Sequence, residues 1–281
     1  MGLPSSIEKA AARYKTIEAD GHILFPVLVK EYDAFLIARP AIDVMHQSLP
    51  VRFLRMPLLS ALYQMYVEEI LEGKPLSGLF SCAILALSLS LRLGEETAIE
   101  DRLKQIRIVA DPKAPEKLFA LRYDDPISGA EKQILPTQYP KIREIIALQN
   151  GVKLESDYAN PDLVRAQKDM DASGATLDAN IGDLISAVSA ISGVDEDEID
   201  LWPIRKLNRR AESYRRMLDY VVCGFGEVNG TTWSGGNPTP HPFFARAFTA
   251  SKVLSALDGA TGSTQKPPSG AQEIAEQTKH L

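Results

Sequence analysis

The sequence has few of the residues from which disulfide frameworks and metal sites are built, with 2 cysteines and 4 histidines in 281 residues. Cys82 and Cys223 lie far apart in apolar contexts, so we interpret both as reduced, buried side chains, which predicts a reducing compartment. No Cys-x-x-Cys or His-x-x-x-His spacing occurs, and no histidine lies near either cysteine. The sequence therefore predicts no zinc or iron site and no other cofactor.

Long hydrophobic runs and an excess of positive charge are also missing. The best membrane candidate, residues 76–93, is shorter than the ~20 residues that span a bilayer, and four serines interrupt it. We expect a buried helix there, and the N-terminus lacks the pattern of a signal peptide. The net charge of −6 argues against a nucleic-acid or anionic-membrane binder. These features predict a soluble, cytosolic protein.

Motifs that name a reaction are absent as well. "GATGSTQK" lacks the Gly-Lys-Ser/Thr ending of a P-loop, and "CGFGEVNG" follows a predicted helix where a dinucleotide fingerprint needs a strand. No Gly-x-Ser-x-Gly nucleophile elbow occurs, and Cys223 has no evident histidine partner. We therefore predict a protein that is not an enzyme.

What the sequence does contain is enough apolar residues for a real core, at 45% hydrophobic and 24% charged. Residues 1–104 are predicted to be a helical region. One short helix is expected around Tyr32–Leu36, stopped by Pro40. A second, apolar on all faces, is expected across residues 76–93 in the middle of this region.

The composition changes after residue 104. "KQIRIVAD", "KLFALRYD" and "EKQILP" are short, β-prone segments separated by turn residues, and they predict a small β-meander over residues 105–136. A helix packed on this sheet completes a region that ends at residue 152. The predicted fold class is α+β and predominantly α-helical, with the meander inserted between helical N-terminal and C-terminal parts.

Residues 153–258 are predicted to form the helical C-terminal region. One helix should begin at Asn160-Pro161, and another, capped by Asp195, should run through the basic stretch, with Pro203 kinking it or marking its first turn. An irregular loop is expected at residues 224–243. Residues 259–281 are small, polar and proline-rich, and we expect a disordered tail.

The stretch "YPKIREIIALQNGV", residues 139–152, ends an amphipathic helix on polar residues. We interpret Gly151 as the left-handed residue that stops the helix, with Val152 as its hydrophobic follower. An alternative from another class stays open: an enzyme whose site is dispersed around Arg143, Gln149, Asn150 and His241.

The helix "RKLNRRAESYRRM" carries basic residues on several faces, so it offers no single positive stripe for nucleic acid. A role in binding a partner protein or in intramolecular salt bridges is predicted instead, and both stay open. Its apolar stripe, which includes Leu207, Tyr214, Leu218 and Val222, is interpreted as core. Aromatic residues and arginine are typical of interface hot spots, and the loop "TTWSGGNPTPHPFFA" resembles a docking arm, although buried anchoring of that loop stays open. The predicted partner-binding residues are Trp202, Arg205, Arg209, Arg210, Trp233, Phe243 and Phe244.

Three segments together resemble a known family. They are "KEYDAFLIARPAIDVMHQSLPVRFLRMPLLSALY", "YPKIREIIALQNGVKL" and "DLWPIRKLNRRAESYRRMLDYVVCGFGEV". In this order they resemble tail-module proteins of long-tailed, often contractile, bacteriophages, which are described as structural, tail-assembly or tail-assembly-chaperone proteins. The resemblance spans about residues 25–230 and contains no catalytic signature.

The resemblance implies a non-enzymatic protein that acts through tail partners such as the tape-measure, tube or baseplate proteins. A chaperone would shield the apolar helical face of a tape-measure protein in the host cytoplasm during assembly. A permanent tail or baseplate component of the virion is the alternative. Nucleic-acid and membrane partners are not expected, and homo-oligomer formation stays open.

Overall fold

The computed structural model describes residues 3–95, 97–154 and 180–229. The chain divides into two units, Met1–Ala211 and Glu212–Leu281, and the second is described as far as residue 229. The predicted helix beginning at Asn160-Pro161 and the predicted tail at 259–281 lie outside the described residues.

The first unit opens with helix α1, Ser5–Ala12, followed by an antiparallel hairpin of strands β1, Ile17–Ala19, and β2, His22–Leu24. Asp20 and Gly21 join the strands with φ values of 52° and 83°. Two successive residues of positive φ make the tight hairpin turn that Asp-Gly favours. Residues 1–104 were predicted to be a helical region, and this hairpin was not predicted. The Asp-Gly signal was present, but the strands are only three residues each.

Helix α2 extends over Tyr32–Asp43 and contains Pro40, so the prediction that Pro40 ends this helix was wrong. Proline removes one intrahelical hydrogen bond, but it does not forbid a further turn when packing holds that turn in place. Ala38, Ala41 and Ile42, on both sides of Pro40, are fully buried, and α2 packs against the central helix α4, Leu79–Ser90. Tertiary burial therefore overrides the proline signal.

Two short 3₁₀ turns, His46–Ser48 and Val51–Phe53, connect α2 to helix α3, Leu58–Leu71. Helix α4, Leu79–Ser90, follows and is buried over almost its whole length, in contact with α2, α3 and the short helix α5, Ile99–Lys104. The prediction of a central helix that is apolar on all faces is confirmed.

Strands β3, Arg107–Asp111, β4, Ala114–Asp124, and β5, Glu131–Ile134, form an antiparallel sheet in the order β3-β4-β5. The predicted meander at 105–136 is confirmed. Strand β4 packs on α3, where the Tyr63 hydroxyl donates a hydrogen bond of 2.9 Å to the Pro115 carbonyl. The architecture is α+β and predominantly α-helical, as predicted.

Helix α6, Tyr139–Asn150, ends at Gly151, whose φ is 75°. The amide of Val152 donates to the Ala147 carbonyl at 2.8 Å, and the amide of Gly151 donates to Leu148. This pair of bonds is the Schellman arrangement that closes a helix on a left-handed glycine. The predicted helix stop is confirmed.

Replacement of Gly151 by valine is expected to lower the free energy of unfolding by about 1 kcal/mol or more, because a β-branched residue resists positive φ. Gly151→Asn is the matched control, since asparagine tolerates this conformation and should cost less. Urea unfolding of the three proteins measures the difference. A valine variant as stable as the natural chain would contradict the assignment of this cap.

Three helices follow: α7, Ile181–Ser192, α8, Glu196–Asp200, and α9, Ile204–Val228. The Asp195 side chain caps α8, as predicted, but the single helix expected from this cap divides in two before Pro203. The residue before a proline is held away from helical geometry, which explains the break at Trp202. Helix α9 then continues to Val228, so residues 224–228 are helical where the irregular loop 224–243 was predicted to begin.

Candidate functional site

The polar residues of α6 that suggested a dispersed enzyme site have backbone partners. Arg143 is buried and donates from Nε to the Ile42 carbonyl at 2.7 Å and from Nη2 to the Val44 carbonyl at 2.5 Å. Both acceptors lie at the C-terminal end of α2, where unpaired carbonyls carry partial negative charge. Arg143 therefore caps one helix from another.

Gln149 and Asn150 join α6 to the N-terminal hairpin in the same manner. The Gln149 side-chain amide donates from Nε2 to the Lys15 and Leu24 carbonyls at 3.2 and 3.0 Å. The Asn150 side chain accepts from the Val27 amide at 2.9 Å and donates to the Ile146 carbonyl at 2.8 Å. Their side chains are buried, so these residues hold neighbouring segments together. His241, the fourth residue of that hypothesis, lies outside the described residues.

Two of the predicted partner-binding arginines also cap helices. Arg205 donates from Nη1 to the Leu148 carbonyl in the last turn of α6 at 2.5 Å, and Arg209 donates to Ala12, the last residue of α1, at 3.1 Å. Burial and the adjacent Arg209 guanidinium lower the pKa of Arg205. The first part of the basic helix is thereby attached to the rest of the first unit.

Trp202 is buried, with the Lys206 ammonium 3.6 Å from the centroid of its ring. Its carbonyl accepts from the Val29 amide at 2.8 Å. Arg210 is exposed to solvent. Trp202, Arg205 and Arg209 thus each make intramolecular contacts, with different segments of the chain. The remaining predicted partner-binding residues lie outside the described part of the chain: Trp233, Phe243 and Phe244.

A buried histidine and tyrosine form another polar pair. His22 and Tyr123 share a hydrogen bond of 2.7 Å between Nδ1 and the hydroxyl. Burial, followed by the charge of Lys132, lowers the pKa of His22, while burial raises the pKa of Tyr123. Both directions favour the neutral forms of the imidazole and the phenol near pH 7. The pair joins the hairpin to β4.

A pocket of about 280 Å³ lies between α2 and α5, and its polar lining includes a buried ion pair. Arg102 donates from Nη2 to Glu31 at 2.5 Å, and the side chains of both residues are almost wholly inaccessible. Arg102 Nη1 has no hydrogen-bond partner in the described structure and is itself inaccessible to solvent. A ligand in the pocket therefore has no direct access to that nitrogen.

Membrane spans and metal clusters are both missing from the described ranges. Within the residues that the structure describes, no helix combines the length and the apolarity needed to span a bilayer. Among the same residues, no group of three or more histidine, cysteine or acidic side chains is placed to hold a metal ion.

The most unusual surface feature lies on the second half of α9. Six apolar side chains on one side of the helix are exposed, including Leu218 at 58%, Phe225 at 66% and Val228 at 85%. A row of large apolar side chains exposed to water is costly, and such patches are typical of interaction sites. We call this surface the α9 apolar face; its members are Met217, Leu218, Val221, Val222, Phe225 and Val228.

The α9 apolar face has a regular spacing. From Ile204 onward, apolar residues alternate at intervals of three and four, which is the a and d pattern of a heptad repeat. Ile204 and Leu207 are buried in the first unit. Ala211 and Tyr214 are half-buried. The last four members are exposed, as is the neighbouring Val222, so the prediction that Leu218 and Val222 belong to the core was wrong. The full seam is Ile204, Leu207, Ala211, Tyr214, Leu218, Val221, Phe225 and Val228.

The candidate binding residues that the sequence-based prediction missed are the last four members of this repeat. The signal was present as an unbroken heptad pattern. Its middle part, including Leu218, was interpreted as core, and its last two members were assigned to the predicted loop 224–243. No protein-family model, curated protein or solved structure matches the chain. The proposed function therefore rests on the geometry of α9 and on the resemblance to tail-module proteins.

Proposed function

We propose that the chain is a non-enzymatic bacteriophage tail-assembly protein that binds a helical segment of a tail partner through the α9 apolar face. The observation that carries this proposal is the exposure of Leu218, Val221, Phe225 and Val228 along one seam of a regular helix. The resemblance to tail-module proteins supplies the class of partner.

The heptad spacing supports a helical partner. Residues at a and d positions bind by inserting into holes formed by four residues of a facing helix, so a partner with the same repeat fits the seam best. Met217 and Val222 widen the face beyond the a and d positions. A wider face is typical of a helix that lies in an apolar groove or between two neighbours.

The size of the apolar side chains gives the binding its strength. Full burial of a valine, leucine, methionine or phenylalanine side chain is worth about 1.5–3 kcal/mol relative to exposure. Phe225, the largest member of the face, is the expected anchor, since aromatic residues dominate interface energetics. Loss of motional freedom on binding offsets part of this gain.

A tape-measure protein is the partner that the apolar face and the resemblance together favour. Such a protein presents a long apolar helical face that needs cover until tube subunits assemble around it. The assembly role places the chain in the host cytoplasm, and a permanent tail or baseplate position is the alternative. Mass spectrometry of purified particles separates them, because stoichiometric amounts in the particle would favour the virion component.

Co-expression with a helical tape-measure fragment tests the proposal. We expect a soluble complex with the natural chain and at least a hundredfold weaker binding after Phe225→Asp, since a buried unpaired carboxylate opposes association. Asp219→Asn is the matched control, because Asp219 lies on the same helix outside the apolar face. Absence of a soluble complex, or equal binding by both variants, would rule out this function for α9.

A further inference from the structure

We propose that the α9 apolar face of the free protein packs antiparallel against the same face of a second copy of the chain. This inference rests on the proposed function in one respect, namely that the second copy covers the face that the tail partner later binds. The dimer keeps the apolar side chains out of water until the partner displaces one copy.

One antiparallel register covers the exposed seam completely. In antiparallel coiled coils a residue at an a position lies beside a residue at a d position of the facing helix. Setting Leu218 opposite Val228 of the second copy also sets Val221 opposite Phe225. All four exposed seam residues then meet one another. A shift by one heptad in one direction leaves Leu218 and Val221 opposite positions beyond the end of α9. The opposite shift sets Phe225 and Val228 against seam members that are half-buried in the fold.

The residues that flank the seam are compatible with this register. Val222 faces Val222 of the second copy on one side, and Gly224 faces Gly224 on the other. The space around Gly224 is open, because a Cβ added to this glycine would have no heavy atom within 4 Å, so the two helices can approach closely there. Met217, Val222 and Gly224, which flank the exposed seam, carry no charge and therefore do not repel a second copy.

The parallel arrangement is disfavoured by charge. In a parallel coil, a residue at a g position meets the e position of the next heptad on the other helix. That rule brings Arg210 of one copy to Arg215 of the other, and both side chains are exposed. Like charges at such positions oppose pairing. An antiparallel pair avoids this contact.

The area of the face fits a reversible dimer. Six apolar side chains at about 100 Å² each give roughly 600 Å² per helix and roughly 1,200 Å² for two copies, the lower end of specific interfaces. Weak and transient complexes lie at this end of the size range. A partner helix of matching length can therefore compete with the second copy.

Analytical ultracentrifugation of the full chain tests the dimer. We expect a dimer at micromolar concentration, a monomer after Phe225→Asp, and an unchanged dimer after the control Asp219→Asn. A natural chain that stays monomeric would overturn the inference. If such a monomer still binds the tape-measure fragment, the dimer inference is wrong and the proposed function stands. If the chain is a dimer but binds no fragment, the dimer inference stands and the proposed function is wrong.

Cross-linking tests the antiparallel geometry in a background with Cys82→Ser and Cys223→Ser. Val222→Cys should yield a covalent dimer with a short bismaleimide, because the two Val222 positions face each other across the symmetry axis. Leu218→Cys should not, since its partner is Val228. Cross-linking through Leu218→Cys in place of Val222→Cys would indicate a parallel pair and overturn the antiparallel register.

Discussion

Replacement of Arg102 by methionine is expected to lower the free energy of unfolding by about 3–5 kcal/mol. The Arg102 guanidinium is paired with Glu31 in a nearly inaccessible position, with side-chain exposures of 5% and 10%. Removing the cation leaves the Glu31 carboxylate buried without its partner. The cost is dominated by that unpaired charge, and urea unfolding at neutral pH measures it.

The double variant Arg102→Met, Glu31→Gln is the control for this effect. The double variant has no buried carboxylate without a partner, so most of the lost stability should return. Burying a neutral amide and a methionine costs far less free energy than burying an unpaired charge. Single and double variants that unfold at the same urea concentration would show that the ion pair is not the cause.

Replacement of Arg143 by methionine is expected to cost about 3 kcal/mol or more, since each hydrogen bond to a charged group contributes about 1.5–3 kcal/mol. The change removes the bonds to the Ile42 and Val44 carbonyls and leaves both acceptors unpaired in the interior. It also removes the positive charge at the C-terminal end of α2. Thermal or urea unfolding measures the loss.

Two further variants separate the contribution of burial to this stability from the contribution of charge. Arg143→Lys keeps the positive charge but lacks the planar fork, so an intermediate loss is expected. Arg209→Met removes an exposed cap from the end of α1 and should cost no more than about 1 kcal/mol. Equal losses from Arg143→Met and Arg209→Met would contradict the role assigned to burial.

The sequence predicted those parts of the fold that local patterns dictate. The meander at 105–136 follows from alternating β-prone segments, and the stop at Gly151 follows from glycine's freedom to adopt positive φ. The central helix α4 follows from its apolar residues on all faces. The path of α2 through Pro40 was not predictable locally, because burial against α4 holds the last turn in place.

The candidate site was harder to predict, because each arginine takes its role from a distant part of the chain. Arg205 is bound to Leu148, and Arg209 to Ala12, so residues that look like interface hot spots are helix caps. Sequence spacing cannot reveal such contacts. The α9 apolar face was within reach of sequence reasoning, since the heptad repeat is local. It was missed because the stripe containing Leu218 and Val222 was interpreted as core and residues from 224 onward were predicted to form a loop.

The most direct test of the central claim is site-specific photocross-linking from α9. A benzophenone amino acid in place of Phe225 should link the chain to the helical tape-measure fragment in the complex, and to a second copy when the fragment is absent. The same group at Asp219 should give neither product. Cross-linking to the fragment from position 219 but not from position 225 would contradict the assignment of the α9 apolar face as the binding surface.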